Sequence, residues 1–422
     1  MWSLFMVVLP IVLGAQALRL YETLGVSKVL GPTTPDGCFL VDRENNDPAG
    51  SIILPVEDLV HYRSGILLGG AGGVLLGERF SPESRPLGYI VAVDARGGGG
   101  SGSGNGSDKD DGVEDNGDNN TPVVRKLKMS KFPADTHFLP HGIYYSKASE
   151  RLYVVNHAGV SSVGTRVEVF DVTRNGDDLP ELTWRLAVGG KDLFANMALN
   201  AVVEGQGDEI YVTQWQSTAV PAGGGMHPKS ISEIVGRIVH LGQTFMMMPG
   251  NQGVYRCTFD SKSPSNPATS CRRESWGYMA ANGITATPDL SRIYVADPVA
   301  HKIFSYARDP ADGTLDYLSN ETISTPHAPD NVHYDEETGE LHTGTIPRIV
   351  EFADLHARAS GTFQVFSQSK PGSRYDTVEQ RVVHDASLLD EFSACMPLAG
   401  PNKRWSVCGS PIADGLLVCP AS

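Results

Sequence analysis

The chain of 422 residues has a mass of 45.3 kDa and a formal net charge of −15 at pH 7. This charge disfavours nucleic acid and anionic membrane surfaces as the main partners, and a hydrophobic content of 41% excludes a chain that is unfolded throughout. The 46 glycines and 27 prolines indicate many turns, which disfavours a helical bundle. The length fits two or three ordinary domains or one large β architecture.

The first 13 residues are almost wholly apolar, and Ala-Gln-Ala follows at 15–17 before the first charge, Arg19. A short apolar run that ends in a small-x-small site predicts a secretory signal peptide over residues 1–17 and therefore a secreted protein. The run lacks a basic start, so an uncleaved signal anchor in the membrane of the secretory pathway is the alternative. It is short for a span of about 20 residues.

Residues 96–121 are rich in Gly, Ser and Asp and contain Val113 as their one apolar residue. This composition predicts a disordered acidic surface loop within a single domain that extends over 18–422. The spacing of an EF-hand calcium loop is absent, so we expect a solvated insertion.

Short β-rich runs alternate with turn signals along the rest of the chain, at 88–94, 151–156, 167–172, 209–213, 292–297 and 301–306. Three of them share the order charged, apolar, Tyr, Val. Repeated short strands of this kind predict an all-β fold, a β-propeller of six to eight blades at about 40–50 residues per blade. A β-sandwich is the competing architecture.

Residues 229–248 break the β rhythm, because their apolar side chains recur near helical spacing. We expect a helix inserted between blades. It either packs against the propeller or forms a lid that is apolar toward substrate or a lipid surface.

Six cysteines suit an oxidising compartment. Cys257 lies close to Cys271 in the chain and Cys395 close to Cys408, which leaves Cys38 and Cys419 to join the two ends; this is one of 15 pairings. Glycosylation sequons occur at Asn105, Asn119 and Asn320.

Five residues place a carboxylate or an amide beside small or apolar neighbours: Glu57, Asn200, Asn282, Asp330 and Asn331. Such groups need a partner in an apolar setting. Calcium takes six to eight oxygen ligands of these kinds, so loops that converge on a propeller axis predict a calcium site. Each residue taken singly also fits an Asx-turn or a cap.

Two histidines, His141 and His157, lie on runs predicted to form neighbouring strands. One could act as a base on water while the other tunes it, although each also fits a purely structural role. The chain has neither a G-x-S-x-G elbow nor an H-E-x-x-H helix. These absences favour a metal-centred or histidine-based site.

Several short segments stand in a characteristic order: Glu-Asp-Leu at 57–59, Pro-His-Gly-Ile at 140–143, Tyr-Val-Val-Asn-His at 153–157, Asn200, Ala-Asn-Gly-Ile at 281–284, Tyr-Val-Ala at 294–296, Ala-His-Lys-Ile at 300–303, Asp-Asn-Val at 330–332 and Glu-Thr-Gly at 337–339. In wording and order they resemble the serum paraoxonase/arylesterase family. The resemblance spans Cys38 to Cys419, which is nearly the whole mature chain.

The resemblance implies a six-bladed propeller with two calcium ions in a central tunnel. The catalytic ion would be held by the five oxygen-bearing residues named above, and the structural ion by Asp58 and the backbone oxygen of Ile143. The family's third ligand to the structural ion would stand at Ala201, and its Cys-His-Pro segment is replaced by Thr-Ile-Pro at 345–347. His141 and His157 match the family's histidine dyad, and Cys38 with Cys419 matches its end-joining disulfide.

The implied function is calcium-dependent hydrolysis of lactones and aryl esters, with phosphotriesters as side substrates. His141 would be the general base and His157 its support, while Asp330 is a rival base or nucleophile. One alternative is a single-metal gluconolactonase-like hydrolase, which the loss of a ligand at Ala201 favours. Another is a non-catalytic extracellular propeller that calcium only stabilises.

Overall fold

The computed structural model describes residues 37–43, 53–72, 88–96, 121–157, 165–174, 176, 179–190, 194, 198–216, 252–263, 270–348, 360–370 and 372–421. Several expectations lie outside these ranges: the leader at 1–17, the acidic loop at 97–120 with Asn105 and Asn119, and the inserted helix at 229–248. They stay predictions.

The strands are numbered in chain order and form six sheets, which we call blades 1 to 6. Strand β1 (Phe39–Val41) belongs to blade 6. Blade 1 contains β2 (Val56–Arg63), β3 (Ile66–Ala71), β4 (Tyr89–Asp94) and β5 (Val123–Lys126). Blade 2 contains β7 (Pro140–Ser146), β8 (Arg151–Asn156), β9 (Arg166–Thr173) and β10 (Glu181–Gly189), and the short β6 (Met129–Ser130) runs parallel to β10. Blade 3 contains β11 (Ala198–Glu204), β12 (Glu209–Gln216), β13 (Gly253–Thr258) and β14 (Ser270–Trp276).

Blade 4 contains β15 (Ile284–Ala286), β16 (Arg292–Asp297), β17 (Lys302–Arg308) and β18 (Leu315–Tyr317), a 3₁₀ turn at Ser319–Glu321, and β19 (Ile323–Ser324), which pairs with β17. Blade 5 contains β20 (Ala328–Tyr334), β21 (Leu341–Ile346), β22 (Gly361–Gln368) and β23 (Tyr375–His384). Blade 6 contains β24 (Ala394–Ala399), β25 (Arg404–Gly409) and β26 (Leu416–Pro420), and β1 completes it.

The first strands of the six blades form a ring. Strands β2, β7, β11, β15, β20 and β24 contact one another in turn, and β24 contacts β2. These inner strands therefore surround one axis, as in a six-bladed β-propeller. The propeller expected from the sequence is confirmed, and the β-sandwich is wrong.

An apolar layer separates each pair of neighbouring blades. Strand β4 shows how the sequence produces it: Ile90 and Ala92 pack toward blade 2, whereas Val91 and Val93 pack toward blade 6. Because successive side chains of a strand point to opposite faces, a strand between two such layers must be apolar at every position. This explains the continuous β-branched runs in the sequence.

The two ends of the propeller are joined within blade 6. Strand β1 pairs with β26, with Phe39 opposite Val418, and the Cys38–Cys419 disulfide joins the same two segments. The other two disulfides, Cys257–Cys271 and Cys395–Cys408, link residues directly opposite each other on neighbouring strands. All three expected pairings are confirmed, and such bridges are typical of extracellular proteins.

Of the three sequons, Asn320 lies within the described residues. Asn320 is exposed on the 3₁₀ turn, where a glycan would meet no steric obstacle from burial. Within the described ranges no helix has the length and apolar character needed to cross a bilayer.

The disulfide that closes the ring should contribute most to stability. In the chain-entropy account, replacing Cys38 and Cys419 by Ser should cost about 6 kcal/mol of unfolding free energy, against about 3 kcal/mol for Cys257 and Cys271. The reason is a sequence separation of 381 residues for the first bridge and 14 for the second. Urea unfolding without reductant measures both losses, and an equal or larger loss in the Cys257/Cys271 variant would contradict the account.

Candidate functional site

Four of the six inner strands lose their regular register close to where they begin. The breaks lie between Val56 and Asp58, Pro140 and Ile143, Leu199 and Val202, and Pro329 and Val332. Within them stand the residues singled out in the sequence: Glu57, His141, Asn200, Asp330 and Asn331. A β-bulge frees a residue from the ladder and redirects its side chain, so these breaks turn polar groups toward the centre of the ring.

Two glycines allow neighbouring inner strands to approach closely at this level. A Cβ on Gly142 would lie 2.3 Å from the carbonyl oxygen of Asn200. A Cβ on Gly283 would lie 2.6 Å from the Cα of Asn331. Because real side chains cannot occupy such space, both positions require glycine.

Direct contacts link most of the predicted ligands. Asn331 Nδ2 donates to Glu57 Oε1 at 2.7 Å and to the Glu57 carbonyl oxygen at 3.1 Å. His141 Nε2 lies 3.5 Å from Glu57 Oε1, and Asn200 Nδ2 donates to His141 Nε2 at 3.1 Å. The Asn282 side chain hydrogen-bonds the Asp330 carboxylate. These side chains come from blades 1 to 5 and meet in one neighbourhood.

Four oxygen atoms of this group are buried and accept no hydrogen bond: Glu57 Oε2, Asn200 Oδ1, Asn282 Oδ1 and Asn331 Oδ1. Buried polar atoms are rarely left unpaired in native proteins, because the cost is large. Carboxylate and amide oxygens are the donors that calcium prefers. The residues present therefore fit a calcium ion.

The charges at the centre also favour a cation. Burial raises the pKa of Glu57 well above its usual range, and the charges of Asp58 and Asp330 raise it further. Burial likewise raises the pKa of Asp330. Within the described residues no three His, Cys, Asp or Glu side chains are gathered as a metal cluster, so the donor set would rely on the amide oxygens of the three asparagines.

The expected second ion has a poorer set of donors. Asp58 Oδ2 accepts a hydrogen bond from the Ile143 N–H at 2.8 Å. Its Oδ1 accepts from the Leu59 N–H at 2.8 Å and lies 2.7 Å from His333 Nε2. Ala201 offers no side-chain oxygen. Both Asp58 oxygens already have N–H partners, and the donor set here is smaller than the one that the resemblance implies.

His141 and His157 lie next to the candidate centre. Their ring centroids are 4.7 Å apart in an edge-to-face arrangement. Burial lowers the pKa of His141 well below its usual range, with a further contribution from His157, and burial lowers the pKa of His157 to about 4. Both imidazoles are therefore neutral near pH 7.

Sequence reasoning missed two residues of this neighbourhood. His333 follows Asn331 by two positions on β20, a spacing that places side chains on one face of a strand. Glu391 precedes β24; its charge acts on Glu57, and the charge of Asp330 acts on Glu391. The sequence offers one signal for Glu391. The predicted ligands come from five of the six blades, so a residue from the sixth is also expected near the centre.

Comparison with known proteins supports the family resemblance in part of the chain. An arylesterase family model matches residues 266–369, which include Asn282, Asp330 and Asn331. Human serum paraoxonase/arylesterase 1 is 39% identical over 71 residues, which is 17% of this chain and 19% of that protein. The resemblance to the paraoxonase/arylesterase family is thus confirmed for a segment that spans about a fifth of that relative's length.

Solved structures match most of the chain at low identity and low TM-score. A gluconolactonase from Xanthomonas campestris is 14% identical, with a TM-score of 0.39 and coverage of 94% of this chain and 99% of that one. An aldose sugar dehydrogenase from Streptomyces coelicolor is 13% identical, with a TM-score of 0.43 and coverage of 92% and 99%. We draw no functional argument from similarities of this level.

The Asp58–His333 contact should stabilise the fold without any metal. Replacing His333 by Ala should lower the unfolding free energy by about 2 to 3 kcal/mol, because it removes a donor from a buried carboxylate. In an Asp58→Asn background the same replacement should cost clearly less, since the charged acceptor is gone. Urea unfolding of the four proteins in calcium-free buffer measures the coupling, and purely additive losses would show that the contact contributes nothing.

Proposed function

We propose that this chain is a secreted, calcium-dependent hydrolase of lactones and aryl esters, with phosphotriesters as side substrates. The observation that carries the proposal is the set of four buried oxygens without partners at the centre of the ring. The arylesterase match at 266–369 supports it independently, because three of the five proposed ligands fall within the match.

The proposed ion is held by Glu57, Asn200, Asn282, Asp330 and Asn331, which offer two carboxylates and three amides. When bound, calcium supplies a Lewis acid that polarises the substrate carbonyl and stabilises negative charge as it develops. The Asn331 amide group fixes the orientation of the Glu57 carboxylate through its hydrogen bond to Oε1. Oε2, which has no hydrogen-bond partner, would then be available as a ligand.

His141 is the proposed general base. The Asn200 amide group donates to Nε2 of His141, so Nε2 carries a lone pair and the tautomer with a proton on Nδ1 is favoured. Because Nε2 has a single lone pair, the hydrogen bond from Asn200 must be released before a water molecule can give its proton to this atom as it attacks the ester carbonyl. His157 packs against the ring of His141 and supports its position. Asp330 stays the rival base or nucleophile within the same centre.

A single-metal hydrolase is the second candidate, and one observation favours it. Asp58 is hydrogen-bonded to Leu59 and Ile143 and in contact with His333, and Ala201 adds no side-chain oxygen for a second ion. We therefore propose one calcium ion per chain. Thr345 and Ile346 stand in place of two residues of the family's pocket wall, and both are buried, so we propose a pocket of different shape.

Removal of calcium should abolish turnover. In excess chelator the hydrolysis of phenyl acetate and of simple lactones should fall at least about a hundredfold, since the polarising charge is lost. Added calcium should restore the rate, and chelator already saturated with calcium is the control. Full activity in excess chelator would contradict the proposal.

The role of His141 can be separated from calcium binding. His141→Gln should lower kcat for phenyl acetate about a hundredfold or more, because the proton acceptor is lost. Calcium affinity, measured by calorimetry, should stay close to that of the unmodified protein. Unchanged kcat would remove His141 from the chemistry and make Asp330 the better candidate for the base.

A further inference from the structure

The segment before the sixth inner strand also borders the candidate centre. Residues 391–393 lead into β24 and lie between the two proposed ligands Asn331 and Glu57. The Asn331 N–H donates to the Ser393 carbonyl oxygen at 2.8 Å, and the Ser393 hydroxyl donates to the Glu57 carbonyl oxygen. These bonds tie the segment before β24 to β20 on one side and to β2 on the other.

Tight packing holds this segment in place. Phe392 is fully buried, and a Cβ on Gly361 would lie 2.5 Å from its ring. A Cβ on Gly344 would lie 2.6 Å from the Ser393 carbonyl carbon. Glu391 itself has a φ of 53°, in the left-handed region that a residue with a Cβ rarely adopts. The surroundings thus hold Glu391 in a costly conformation, which is common at functional sites.

The Glu391 carboxyl group is buried, and one of its two oxygens is unpaired. The residue is 1% exposed, and its Oε2 accepts no hydrogen bond. Burial raises the pKa of Glu391 well above its usual range, and the charges of Asp330 and Asp390 raise it further. The charge of Glu391 acts in turn on Glu57. Three blades therefore bring Glu57, Asp330 and Glu391 into one electrostatic neighbourhood, an arrangement that is costly without a cation.

We propose that Glu391 is a sixth member of the calcium centre and strengthens calcium binding through its charge, without belonging to the direct donor set. The inference rests on the proposed function. Direct coordination is not invoked, because the described residues contain no group of three acidic or imidazole side chains gathered around a metal position. A negative charge in a buried setting acts on a divalent ion over several ångströms, so Glu391 raises the affinity for calcium from the side of blade 6.

Calorimetric titration of calcium into the calcium-stripped full chain tests the proposal. Glu391→Gln should raise the Kd for calcium about tenfold or more. Glu391→Asp keeps the charge and should stay within about threefold of the unmodified protein. The matched control is Glu204→Gln, the same change at another buried carboxylate, which accepts hydrogen bonds from Tyr153 and Ser146. Its Kd should not change.

Thermal unfolding separates this role from a purely structural one. Without calcium, Glu391→Gln should unfold at the same or a higher temperature, because it removes repulsion from Asp330 and Glu57. Its gain in Tm on adding calcium should be smaller than that of the unmodified protein. A lower calcium-free Tm together with an unchanged calcium Kd would overturn the inference.

The possible failures are distinguishable. If the unmodified chain and Glu391→Gln bind calcium equally well, the inference fails and the proposed function stands. If Glu391→Gln weakens binding but turnover in excess chelator is undiminished, the inference stands and the proposed function fails. If the unmodified chain binds no calcium, both fail.

Discussion

Buried oxygen atoms without hydrogen-bond donors dominate the centre of this propeller. Glu57, Asn200, Asn282 and Asn331 each leave one oxygen unpaired, and the nearby Asp330 adds a carboxylate. Such an arrangement is costly unless protons or a bound cation compensate it. A divalent cation with a preference for oxygen does so directly, and the proposed chemistry follows from the charge that it brings.

The fold creates this centre through small departures from regularity. Apolar layers between blades fix the six inner strands, and the closing pair of β1 and β26 keeps the ring complete. Register breaks at the beginnings of β2, β7, β11 and β20 then release polar residues from the ladders. The stability of the blades therefore offsets the cost of the strained backbone and the buried charge at the axis, as rigid scaffolds commonly do for functional sites.

The propeller and much of the candidate centre could be predicted because their signals are local. Continuous β-branched runs indicate strands buried on both faces, and Glu57 and Asn331 stand out as polar residues in apolar segments. His333 and Glu391 could not be found in this way. The role of His333 depends on Asp58, 275 residues earlier in the chain. Glu391 precedes a strand, and no local sequence pattern marks it. The sequence shows that Ala201 lacks a ligand oxygen, but it does not show that Asp58 contacts His333.

The central claim is that oxygens from separate blades surround one calcium ion. Crystals grown with calcium and measured at a long X-ray wavelength would test it by anomalous scattering. The account predicts one peak at the ring axis, about 2.3–2.6 Å from side-chain oxygens of Glu57, Asn200, Asn282, Asp330 and Asn331. A map without a peak there, or with a second peak at Asp58, would contradict it.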